Sequence, residues 1–187
     1  MSDAMLIAAA VTWDELWGLT HEGAITHSDL FGFAADEALA ELFDVELGED
    51  AETAAVQMAD VSGLTFGYAE RRVLVAQAPK LAYCPAATGN SPGAVRVSPL
   101  LIENCLAFFT GPSDAAAIEA AKGLYTDEAW ELPVVQKLLA EQPLEWHDIS
   151  ELDAWLEASQ GANHDDDEDD GTDHLTDTDS FGLGSRP

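Results

Sequence analysis

The chain has 187 residues, 47% of them apolar, and sets 36 Asp and Glu against 7 Lys and Arg, for a formal net charge of −29. A surface of that sign repels nucleic-acid phosphates and anionic lipid headgroups, so direct nucleic-acid binding and membrane binding are not expected. Residues 161–187 carry −8 and residues 1–160 carry −21, which predicts an acidic α/β domain over 1–160 and a disordered acidic tail over 161–187.

Leu6 to Val11 is a continuous apolar run of strand length. Thr12 with Glu15 makes a capping-box pattern opening a helix that carries Trp13, Leu16 and Trp17 on one face and stops near Gly18 to Gly23. Phe31 and Phe33 alternate as in a strand, and Asp36 caps a helix with Leu39, Leu42 and Phe43 at helical spacing. From Gly48 to Glu70, Met58, Val61, Leu64 and Tyr68 share one helical face. Gly63 and Gly67 oppose a helix there, and a strand over Leu64 to Tyr68 hairpinned to Arg72 to Ala76 is the alternative. The helix is the favoured reading, with Arg71 and Arg72 in its last turn, where positive charge suits the dipole.

Val73 to Ala76 reads as a buried strand. Pro79 to Gly93 holds three Pro and two Gly and reads as one long loop, the first place to look for a site. Ala94 to Ser98 alternates as a strand that Pro99 breaks, and Leu106 to Thr110 is another. Ser113 or Asp114 caps a helix running to Lys122, with Gly123 as its stop; Asp127 to Gln142 is helical, with Pro133 at a kink or at a new first turn. Leu144 to Ile149 is a strand, and Ser150 with Asp153 opens a last helix presenting Leu152, Trp155 and Leu156 inward. The interleaving predicts an α/β (or α+β) fold, a single domain with a mixed sheet of about five strands covered by helices.

Several stretches carry a family resemblance: Gly32-Phe33-Ala34 running into a helix, the Ala-rich stretch ending at Arg71-Arg72 and feeding Val73-Leu74-Val75-Ala76, the Val95-x-Val97 strand, and the closing run from Leu144 through Trp146, His147 and Asp148 to Leu152. In this order they resemble a small actinobacterial domain-of-unknown-function family, over most of residues 5 to 152. The resemblance implies an intracellular α/β protein and brings no catalytic residues with it.

Met5 to Val11 is short, lacks a basic region before it and runs into Trp13-Asp14-Glu15, unlike a signal peptide. No stretch approaches the roughly 20 apolar residues that span a bilayer. Cys84 and Cys105 are isolated and read as free thiols of a reducing compartment, with burial raising the pKa of Cys105. The expected location is cytoplasmic.

The search for chemistry finds no phosphate-binding loop, dinucleotide loop, nucleophile elbow or zinc-protease motif. His21 and His27 flank Gly23; His147 and Asp148 adjoin on a strand and so point to opposite faces; Asp14-Glu15, Asp36-Glu37 and Glu49-Asp50 sit where helices begin. Each reads as structural. Asp166, Glu168, Asp170, Gly171, Thr172, His174 and Asp177 follow calcium-loop spacing, but with Glu at the third position, Asp at the twelfth and no helix after it, the tail reads as a solvated chain. No catalytic, cofactor-binding or metal-ligating residue is assigned, and no cofactor is expected.

Three classes of function remain, beside a charge that serves solubility alone. The leading one is a non-enzymatic interaction or regulatory protein whose acidic surface meets a basic protein. The second is a small-molecule-binding protein or enzyme with a site near the 79–93 loop. The third is a nucleic-acid mimic or toxin-neutralising inhibitor, which requires carboxylates spaced like phosphates along one face.

Overall fold

The computed structural model describes residues 4–26, 30–79, 83–85 and 91–162. Their order is β1 (Ala4–Ala10), α1 (Trp13–Glu22), β2 (Ala24–Ile25), β3 (Leu30–Ala34), α2 (Glu37–Phe43), α3 (Glu49–Phe66), β4 (Arg71–Pro79), β5 (Tyr83–Pro85), β6 (Ala94–Val97), β7 (Leu100–Leu101), β8 (Cys105–Gly111), α4 (Ala115–Ala121), α5 (Thr126–Trp130), α6 (Pro133–Glu141), β9 (Glu145–Asp148) and α7 (Leu152–Ala162). Seven strands form one sheet in the order β5-β6-β3-β1-β4-β8-β9, and β2 pairs with β7 in a small ribbon.

β1 lies at the centre because both of its faces are apolar. Ile7 and Val11 point to one side with Leu74 and Ala76, while Leu6 and Ala8 point to the other with Phe33, Val73 and Val75. A strand covered on both faces loses the apolar-polar alternation of a half-exposed one, which is why Leu6 to Val11 is continuously apolar. The pairing with β3 is close enough to demand Gly32: a Cβ there would sit 2.6 Å from the Ala8 carbonyl oxygen.

α1 and α7 cover the first face through Leu16, Leu19, Leu152 and Leu156. The capping box is as the spacing predicts, with the Glu15 amide donating to Thr12 Oγ1 at 3.3 Å and the Thr12 amide to Glu15 Oε2 at 2.7 Å. Arg72 lies on this side too, its guanidinium over the rings of Trp13 and Trp155 at 5.3 and 5.7 Å and paired with Glu70.

On the second face α2 and α3 pack against the sheet, and α4, α5 and α6 close over α3 from outside through Ala117, Ala121, Ala129, Val135 and Leu138. α3 is therefore enclosed on both sides, with 11 of its 18 residues buried. Its small residues Ala51, Ala54, Ala55, Ala59, Ser62 and Gly63 follow from that, because layers on two sides leave little room for bulk. The one carboxylate among its buried residues, Asp60, takes Arg71 Nε at 3.0 Å and Nη2 at 2.6 Å, while Arg71 Nη1 donates to the Gln142 carbonyl at 2.8 Å.

The structure bears out the helix-covered sheet and alters several details. Arg71 and Arg72 do not lie in the last turn of α3; Gly67, at φ 74°, ends that helix in the left-handed conformation, and both arginines open β4. The sheet has seven strands rather than about five, and every pairing is antiparallel rather than mixed. Residues 79–93 are not one loop, since β4 runs to Pro79 and Tyr83–Pro85 pairs with β6; residues 80–82 and 86–90 lie outside the described residues. Asp127 to Gln142 divides at Pro133, which opens α6 as its first residue. The turn before α7 is capped by Asp148 rather than Ser150, with the Ser150 amide donating to Asp148 Oδ1 at 2.9 Å.

Because Arg71 is buried with Asp60, its one carboxylate partner among the described residues, Asp60→Asn should destabilise the protein by about 3–5 kcal/mol, whereas Asp60→Leu with Arg71→Met should recover most of that loss. Denaturant midpoints at unchanged m value measure both. A loss under about 1 kcal/mol for the single variant would show that the pair is solvated.

Candidate functional site

α3 passes over β1, β3 and β4 and leaves the β8–β9 edge of the second face open. The resulting cleft has a volume of about 560 Å³, within the range of ligand sites. Its floor is Val75, Ala107 and Phe109, with Leu144 and Trp146 on the strand side and Val56 on the helix. Trp146 is 58% exposed and Leu106 43% exposed, so the strand side presents large apolar surface to solvent. Glu49 and Glu52, exposed in the first turn of α3, line it with their carboxylates; there they also complement the helix dipole.

Asp60 and Arg71 also line this cleft, but as a closed pair. Burial pushes the Asp60 carboxyl above the ordinary range, and the Arg71 hydrogen bonds and charge oppose that rise. With both carboxylate oxygens taken up by Arg71, Asp60 has no free geometry for proton transfer. The cleft thus combines an apolar, aromatic floor with carboxylates, which suits an amphipathic cation: the apolar part desolvates on the floor and the charge meets Glu49, Glu52 or the Trp146 face.

The residues weighed from sequence lie elsewhere. His147 projects to the opposite face from Trp146, stacked on Phe108 with ring centroids 4.7 Å apart and with Nε2 2.9 Å from Thr110 Oγ1. Asp148 turns to Ser150, whose hydroxyl donates to it at 2.6 Å and holds its pKa below the usual range, so the adjacent pair does not interact. His21 stacks on Trp17, with Nδ1 2.9 Å from the Trp17 carbonyl; His27 lies outside the described residues. Asp14-Glu15, Asp36-Glu37 and Glu49-Asp50 mark the starts of α1, α2 and α3. Among the described residues no three His, Cys, Asp or Glu side chains converge on a metal site, and the calcium-like spacing from Asp166 to Asp177 lies outside them. No helix of the described residues is long and apolar enough to cross a membrane.

Sequence reasoning missed Trp146 as a surface feature. The sequence draws attention to its neighbour His147, yet strand alternation sets the two on opposite faces, so that Trp146 faces away when His147 packs on Phe108. Glu49, Phe109 and Trp146 come from distant parts of the chain, so no local spacing announces the cleft.

Cys105 is a buried free thiol whose Sγ donates to the Leu101 carbonyl at 3.4 Å. Burial pushes its pKa up to about 12. In a Cys84→Ser background, native Cys105 should react with iodoacetamide at alkaline pH about a thousandfold more slowly than in denaturant, following its thiolate fraction. Because the native pKa is raised, the stability linked to this thiol is complete below the unfolded value of about 8.5 and declines as pH climbs above it. Equal alkylation rates in the native and denatured chain would show that the thiol is accessible.

Residues 5–156 match a family of unknown function, DUF6912, and the chain belongs to that family. The match covers the stretch over which the resemblance was drawn. No curated protein and no solved structure matched.

Proposed function

We propose that this DUF6912 member is an interaction protein that receives a basic, amphipathic segment of a partner protein in the cleft between α3 and β9. The observation that carries the reading is Trp146, a large aromatic left 58% exposed on the strand side of a cleft that the exposed Glu49 and Glu52 also line. Exposed aromatics are the usual anchors of protein interfaces, and surrounding acidic groups accelerate and orient the approach of a basic partner. The ionisable side chains of this cleft are Glu49, Glu52 and the closed Asp60–Arg71 pair, a set that favours binding over nucleophilic chemistry.

The distribution of charge supports a docking cleft over a phosphate-like stripe. Exposed carboxylates occur on α1 and α7 over the first face and on α2, α3, α5 and α6 over the second, so the general coat favours no one side. A nucleic-acid mimic needs the opposite arrangement. Within the coat, the cleft is distinguished by its apolar floor.

A short amphipathic Lys/Leu peptide is a suitable probe for the full chain. Trp146→Ala and the pair Glu49→Gln/Glu52→Gln should each weaken its binding by about tenfold, with a further loss on adding salt. Glu37→Gln/Glu41→Gln on α2 is the control and should change it by less than about twofold. If the control weakens binding as much as the cleft variants do, the peptide is attracted by the overall charge and the docking reading fails.

A further inference from the structure

A second cleft, of about 460 Å³, opens on the other side of α3 against β3 and β6, and shares no lining residue with the first. Its walls are aromatic. Phe31 meets Phe66 edge to face at 5.6 Å, Tyr68 lies 5.5 Å from Phe66, and Tyr125 at the start of α5 is 60% exposed beside them.

Two polar groups border this cleft without a side-chain partner among the described residues, one buried and one, Arg96, exposed. Ser91 is 7% exposed, and its hydroxyl has no hydrogen-bond partner among the described residues. A buried hydroxyl left unpaired destabilises the protein, and at the wall of a cleft it marks a place where a bound water or ligand can supply the missing partner. Arg96 is directly opposite Phe31 in the β3–β6 register, so its side chain shares the aromatic face. Arg71, Arg72 and Lys137 are paired with Asp60, Glu70 and Glu141; Arg96, like Lys122, forms no ion pair among the described residues, although acids outnumber bases 36 to 7 in this chain.

The other ionisable side chains lining the cleft are Glu15, Tyr68 and Tyr125. Glu15 is engaged in the α1 capping box, its Oε2 accepting from the Thr12 amide at 2.7 Å and the Thr12 hydroxyl at 3.0 Å. Burial and the Glu15 charge raise the Tyr68 hydroxyl above its usual range, so it stays a proton donor. An arginine, the hydroxyls of Ser91 and Tyr68 and four aromatic rings are thus gathered in one cleft of a strongly anionic protein.

We propose that this second cleft binds a planar aromatic anion, with its ring among Phe31, Phe66 and Tyr68, its carboxylate or phosphate on Arg96, and a polar atom within reach of the Ser91 hydroxyl. Arginine pairs with either oxyanion through its planar fork of donors, and the aromatic walls favour a flat ring over an aliphatic chain. The site stands apart from the docking cleft, with which it shares no lining residue.

Calorimetric titration of the full chain at low salt with 2-naphthoate, 2-naphthyl phosphate and the neutral 2-naphthamide tests this. One of the two anions should bind at a single site at least about tenfold more tightly than the amide, and the tighter one identifies the oxyanion. Arg96→Gln should abolish that preference, and Trp146→Ala should leave it intact. Ser91→Ala should weaken the tighter anion while holding or raising the melting temperature, because it removes an unpaired hydroxyl; a group with only a structural role would not give that combination. Equal binding of anions and amide, no binding at millimolar concentration, or a preference that survives Arg96→Gln would each overturn the proposal.

Discussion

The pair between Asp60 and Arg71 holds the three parts of this fold together. Asp60 belongs to the enclosed helix α3, Arg71 opens the strand that follows it, and the same guanidinium reaches the Gln142 carbonyl in the connection from α6 to β9. Helix, sheet and outer layer therefore meet at one buried charge. Burying two ions is costly, and the attraction between them roughly offsets that cost, so the contribution of the pair is better described as geometry than as net stability. It fixes how far α3 is rotated about its axis, and that in turn decides which helix residues border each cleft.

The rest of the protein manages its charge without such pairs. Asp60 is the one acidic residue among the buried polar side chains described, and the other described carboxylates are half-buried or exposed. At physiological salt, charges more than about 8 Å apart are largely screened, which lets a body of −21 fold around a core whose one ion pair is neutral overall. The few bases are placed with corresponding economy. One is internal, one lies across two tryptophans, and one faces the aromatic cleft beside α3.

Much of the fold was legible because its signals are local. Thr12 with Glu15, Asp36, Asp114 and Pro133 each open a helix within a few residues of the side chain that specifies the start. Both-sided burial could likewise be read from the unbroken apolar run of β1. Errors arose where a distant partner decided the outcome. Arg71 fits a helix end by the dipole argument, but Gly67 stops the helix earlier and Asp60 draws the arginine into the interior. β5 is three residues long in a Pro-rich stretch, and only its neighbour β6 makes it a strand. The clefts were least visible, since each is assembled from segments that meet only after the sheet has formed.

The enclosure of α3 also bears on the order in which the molecule comes apart. A helix with the sheet on one side and three short helices on the other can exchange its amide hydrogens only after one of those layers has opened. α4 and α5 have seven and five residues, too short to persist alone, so they form the layer that detaches at least expense. Amide protection should accordingly rise in steps from this outer shell to α3 and then to β1 and β4. The protein would behave as a nested set of cooperative units, with its most persistent hydrogen bonds at the strand near the start of the chain.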